Sequence, residues 1–186
     1  MVHKPVLNVL SNVKCLQFLP LMLQSVQESA GPWFRVVWRP YLVPRSDPLS
    51  MGAGLMWGVR QCVPTDWCII LDDDNRMHPS FGAVFSRWIQ DMGRTRGLVL
   101  FNQVDAQGQP RRLVCPPRLK GGGVDAAQFG FRAQVALDYP IPDISAHYDG
   151  AWAEVLAKAP FDPPFLPAVL TYCNYYRALE KAPAKV

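Results

Sequence analysis

The sequence predicts a single compact α/β domain with a mostly parallel central sheet flanked by helices. Three observations carry that expectation. The chain has 186 residues, 49% of them hydrophobic and only 18% charged, enough apolar content to bury a core within one domain. Over residues 1–101, short apolar or β-branched runs alternate with segments of helical period, the pattern of β-α-β units. The most apolar of those runs, W-C-I-I-L from Trp67 to Leu71, leads straight into Asp72, Asp73 and Asp74.

The elements follow in order. Pro5 to Leu10 reads as a short buried strand. Leu16 to Gln27 places apolar residues at 16, 19, 23 and 26, a helical stripe, with Pro20 in the first turn, where proline is tolerated. Gly31-Pro32 stops that helix. Trp33 to Trp38 is aromatic and β-branched, hence a strand, and Arg39 to Pro48 reads as a proline-rich loop. Leu49 to Val63 reads as a helix after a Ser50 cap, although Gly52, Gly54 and Gly58 weaken it intrinsically. Trp67 to Leu71 is the clearest strand. Pro79-Ser80 opens a helix to about Asp91, with Phe81, Val84, Phe85, Trp88 and Ile89 on one side. Gly97 to Phe101 is a buried strand, Asp105 to Gln109 a turn, and Arg112 to Cys115 a short strand. Lys120 to Gly123 is a glycine loop, Val124 to Phe131 is extended, and a short helix starts near Arg132. Asp149 to Lys158 reads as a helix capped by Asp149. Pro167 to Tyr176 reads as a strand or packed arm, and 177–186 as a tail.

The formal charge of +4 is spread along the chain. It lacks the concentrated basic stripe of a nucleic-acid binder and suits a small anionic ligand. The odd number of cysteines, five, without any Cys-x-x-Cys pair argues for reduced thiols in a cytoplasmic setting rather than a disulfide framework. Asn8, Ser11 and Asn12 interrupt the first apolar run, against a signal peptide, and L-Q-F-L-P-L-M-L is too short for a transmembrane segment.

Three adjacent carboxylates at the end of a buried strand repel one another unless something positive offsets them. Magnesium and manganese take oxygen ligands, commonly one or two carboxylates plus substrate phosphates. The bland alternative is an Asp-rich turn that caps the following helix. The buried strand before the aspartates and the amphipathic helix after them favour Mn²⁺ or Mg²⁺ and a ligand.

I-I-L-D-D-D-N and the helix after it resemble the Asp-x-Asp (DXD) segment of GT-A glycosyltransferases, especially the inverting family 2. Further segments line up in order: P-V-L-N-V-L-S-N, W-F-R-V-V-W, L-S-M-G-A-G-L-M-W-G-V, G-G-G-V-D-A-A-Q-F-G-F-R, Y-D-G-A-W-A-E-V-L and F-L-P-A-V-L-T-Y-C-N-Y-Y-R. The resemblance covers roughly residues 5–180. It implies a GT-A (Rossmann-like) fold, with 1–101 as the nucleotide-sugar-binding half and 102–176 as the acceptor-binding half. It also implies transfer of a sugar from a UDP- or GDP-sugar to a glycan or glycolipid hydroxyl, with inversion, in the cytoplasm or peripherally at a membrane. Asp74 would hold the metal, Asp72 and Asp73 would contact the donor, Asp125 would contact donor or acceptor sugar, and Asp149 would be the base. Trp38-Arg39-Pro40 stands where the family carries a base-reading acid, unless Asp47 supplies it. Met56-Trp57 replaces the family's Arg-Asn. A non-catalytic relative that binds a nucleotide sugar or a partner is the alternative.

Overall fold

The structure is a computed structural model that describes residues 4–43, 51–92, 97–111, 115–121, 123–144, 147–160 and 162–181. The expected Ser50 cap, Asp47, most of the Arg112–Cys115 strand, Gly122 and the last five residues lie outside that set. The elements are β1 (Val6–Val13), α1 (Leu19–Ser29), β2 (Arg35–Leu42), α2 (Met51–Arg60), β3 (Trp67–Ile70), β4 (Arg76–Met77), α3 (Phe81–Met92) and β5 (Leu98–Val104). They continue with β6 (Phe129–Arg132), α4 (Ala133–Asp138), α5 (Tyr148–Leu156), β7 (Phe165–Tyr172) and α6 (Tyr175–Lys181).

All seven strands form one sheet in the order β2-β1-β3-β6-β5-β7-β4. The β1/β2, β1/β3 and β5/β7 pairs are parallel, whereas β3/β6, β5/β6 and β4/β7 are antiparallel. The sheet is therefore mixed, not mostly parallel. The reason lies after β5. Among the described residues, only turns and the single 3-10 turn Ala126–Gln128 separate β5 from β6. Without a helical crossover the chain re-enters from the end it left, and β6 runs back between β3 and β5.

Strand alternation divides the apolar side chains between two cores. Leu7, Val9, Trp67, Ile69 and Leu71 pack on one face with Met22 and Val26 of α1 and Phe81, Phe85 and Trp88 of α3. Leu10, Cys68 and Ile70 pack on the other face with Leu55 and Val59 of α2 and Trp152 of α5. The period of two in the strands and the helical stripes produce this partition directly.

Two expected loops are ordered. β2 continues through Pro40, which pairs with Ser11; β2 is an edge strand, where a missing N–H is tolerated. The expected tail begins instead with α6. Asn174, at φ 48°, turns the chain, and Tyr176 stacks on Phe18 with a 6.3 Å centroid separation.

Candidate functional site

From β1 the chain passes through α1 to β2 on one side and later returns through α2 to β3 on the other. The β1–β3 boundary is thus a topological switch point, where open α/β sheets leave a crevice at the strands' carboxyl ends. Asn12, Lys14 and Cys15 stand at the end of β1, and Asp72, Asp73 and Asp74 follow β3 across from them.

The three aspartates have different surroundings. Asp72 accepts the Asn12 N–H at 3.3 Å and lies 4.0 Å from Lys14 Nζ. Burial is the main cause that pushes its carboxyl up to about 7; Asp74 and Asp125 add to this, while Lys14 and the Asn12 N–H oppose it. Asp73 is fully buried. Its Oδ2 accepts the backbone N–H groups of Lys14, at 2.8 Å, and Cys15. This carboxylate therefore ties the β3 turn to the start of the β1–α1 loop. Asp74 forms an ion pair with Arg177 of α6, Nε to Oδ2 2.6 Å. Burial still raises its pKa, with Asp73 adding, against the pull of Arg177.

The other two carboxylates come from the second half. Asp125 caps the 3-10 turn in a reciprocal capping box with Gln128. It is also paired with Arg111 Nη1 at 2.6 Å and accepts from Gln103 Nε2 at 3.2 Å. Asp149 lies in the first turn of α5 but is not its cap. The cap position belongs to His147, at φ 62°, so the helix begins one residue early at the buried Tyr148. Asp149 Oδ1 accepts the Gly150 N–H at 2.8 Å. Burial raises its pKa above the usual carboxylate value, and Asp125 adds to that.

Sequence reasoning missed four groups here: Lys14, Arg111, Tyr148 and Arg177. Tyr148 is buried, receives a long 3.5 Å contact from Asn12 Nδ2, and is kept protonated by burial and by Asp72, Asp149 and Asp125. It is a neutral phenol among carboxylates. Its position beside Asp149 was the one available signal; the cations carry no local mark.

Other polar and aromatic groups lie outside the cluster. Trp152, in α5, is fully buried between Phe129 and Phe131, with Nε1 donating to the Tyr139 carbonyl at 2.7 Å. Arg118 and Lys120 line a separate 560 Å³ cavity with Leu100 and Phe165. Arg39 donates to Asn8 Oδ1 and to the Gln61 carbonyl.

The chemistry of a divalent cation fits this place in kind. Asp74 raises the cost of ionising Asp72, and Asp73 that of Asp74, and Asn12 Oδ1 and Asp73 Oδ1 are buried without a hydrogen-bond partner. Among the described residues, no group of three or more His, Cys, Asp or Glu is arranged to hold a metal. Phosphate oxygens of a ligand would have to complete such a shell.

No protein-family model matches the chain, and no curated protein matches it. Solved structures do. S. aureus TarS superimposes with a TM-score of 0.67 at 10% identity, covering 90% of this chain and 36% of that one. TarS 1-349 in complex with UDP gives 0.64 at 10% identity, over 94% of this chain and 63% of that one. The complex with UDP-GlcNAc gives 0.65 at 10% identity, over 91% and 58%. The chain thus spans less than two thirds of these TarS chains. The likeness establishes a glycosyltransferase-like α/β fold. No helix among the described residues is long and apolar enough to cross a membrane.

Proposed function

We propose that the chain moves a sugar from a nucleoside-diphosphate sugar to an acceptor hydroxyl. The observation that carries this reading is the gathering of Asp72, Asp74, Asp125 and Asp149 at the β1–β3 switch point, where Asp74 and Asp125 raise the pKa of Asp72 and Asp125 raises that of Asp149. A fold matched by structures holding UDP and UDP-GlcNAc supports it. The donor's diphosphate lies in the crevice. Asp74, with Asp72 beside it, would hold Mn²⁺ or Mg²⁺, which supplies charge neutralisation for the departing diphosphate when bound. The acceptor oxygen attacks the anomeric carbon from the face opposite the diphosphate, the carbon–oxygen bond to phosphate breaks, and configuration inverts. Asp149 takes the acceptor's proton; its raised pKa makes it a stronger base than an exposed aspartate. Tyr148, buried beside it, stays protonated and adds no further negative charge to that corner. The acceptor hydroxyl belongs to a glycan or a glycolipid.

Calorimetric titration with UDP, GDP, CDP and dTDP, each with and without Mn²⁺, tests the reading. One nucleotide should bind tightly with the metal, and Asp74→Ala should abolish that dependence. Absence of binding for all four would overturn it.

One observation favours a non-catalytic nucleotide-sugar binder as the second reading. Asp72, Asp74 and Asp125 each already face a cation of the chain, Lys14, Arg177 and Arg111. Slow metal-stimulated hydrolysis of UDP-GlcNAc would exclude it.

A further inference from the structure

Arg177 occupies an unusual place for a residue near the end of the described chain. Its Nε lies 2.6 Å from Asp74 Oδ2, yet that N–H is buried and lacks an aligned hydrogen-bond acceptor. Among the described residues, its remaining contact is from Nη2 to Cys15 Sγ, at 3.7 Å. The guanidinium therefore bridges the carboxyl ends of β3 and β1, at the switch point itself. Its position is fixed by the turn it contacts. The Asn174 N–H donates to Asn75 Oδ1 at 2.8 Å, the Tyr176 N–H to the Asp74 carbonyl at 3.1 Å, and the Tyr176 hydroxyl to the Leu21 carbonyl at 2.7 Å. With 41% of the side chain exposed, the group is open to a ligand from the solvent side.

We propose that Arg177 is a phosphate-binding residue of the donor site, with Asp74 acting through it to orient the fork. This rests on the nucleotide-sugar reading above. A guanidinium offers five donors in a rigid plane matched to phosphate geometry. One edge faces Asp74, and among the described residues the Nη pair has only a weak thiol partner. A diphosphate entering the crevice meets donors already held in place, and the ordering entropy of a free arginine is avoided. α6 thereby belongs to the site rather than to a tail.

The test is the affinity of the full chain for UDP and for uridine, measured with and without Mn²⁺ in wild type, Arg177→Ala and Arg177→Lys. Charge-assisted contacts of this kind contribute about tenfold in affinity or more. The expected result is a loss of about tenfold for UDP in Arg177→Ala, with uridine unchanged and Arg177→Lys between the two. Equal weakening of UDP and uridine would assign Arg177 a structural role and overturn the proposal, as would unchanged UDP affinity in both variants. If wild type does not bind UDP, the same comparison is made with whichever of GDP, CDP or dTDP binds and its nucleoside; if none of the four binds, the nucleotide reading itself fails, and the proposal falls with it. Should Arg177→Ala not fold, Arg177→Lys keeps the charge on Asp74 and decides by the UDP-over-uridine ratio alone.

Discussion

Asp72 carries a cost that should be visible in stability. Burial pushes its carboxyl up to about 7 in the folded chain, against 3.8 for an ordinary aspartate. Between those values the folded state binds more protons than the unfolded state, so stability falls as pH rises from about 4 to about 7. Asp72→Asn should therefore stabilise the apo protein by roughly 1–4 kcal/mol at pH 8 and by nearly nothing at pH 4. Denaturant titrations at the two pH values check it; a gain that is equal at both would show that the ionisation of Asp72 is not the cause. Asp149 has the opposite requirement. As a base it must be ionised, so kcat/KM should rise with pH through its raised pKa and level off above it. Asp149→Asn should lower kcat by about 10²–10⁴, while UDP affinity changes by less than about twofold. A nucleotide affinity lost in parallel would remove Asp149 from the proton-transfer role. The aspartates themselves were legible because like charges at a strand end demand an explanation. Their counter-ions were not: Lys14 and Arg177 become neighbours of the turn only after β1 and α6 close on it.

At the scale of elements, α2 shows how packing overrides propensity. Three glycines weaken a helix by up to about 1 kcal/mol each, yet Met51–Arg60 is helical. A Cβ on Gly52 would lie 1.8 Å from the Pro142 carbonyl oxygen, and one on Gly54 would lie 2.1 Å from the Tyr41 ring. The glycines let α2 approach β2 and the segment before α5. Gly52→Ala should thus cost about 1–3 kcal/mol despite its better propensity, because a backbone carbonyl must move. Gly58→Ala meets the end of Leu10, with Cδ2 at 3.1 Å, and Arg39 Cβ at an ordinary contact of 3.5 Å, and should be close to neutral. Urea midpoints for the two variants compare them directly; equal effects would mean that propensity governs α2. The helical stripes of α1 and α3 were readable because their apolar period survives in the structure. β4, two residues long, and α6, after a left-handed Asn174, have no period to read.

The whole molecule depends on a strand that arrives late. The alternation over the first half signals β-α-β units, and β1, β2 and β3 are indeed parallel. No local pattern in F-G-F-R encodes that β6 inserts between β3 and β5, since direction in a sheet is set by the connection and not by the strand. That insertion makes the two halves of the chain interdependent. In a fragment of residues 1–101, β5 loses both of its neighbours, β6 and β7, and β4 loses its partner β7. The remaining β2-β1-β3 sheet would expose the edge of β3, along with Trp67, Ile69 and Phe85, which pack with Val99 and Phe101 of β5 in one core. A three-stranded remnant with an open apolar edge is aggregation-prone rather than stable. The fragment should show no cooperative thermal transition by circular dichroism, whereas the full chain should unfold in one. A cooperative, native-like 1–101 would mean that the first half of the chain folds alone and that β6 merely docks on it. The failure of the fragment would place donor and acceptor residues on a single folding unit, so that Asp74 and Asp149 are held in register by the same sheet.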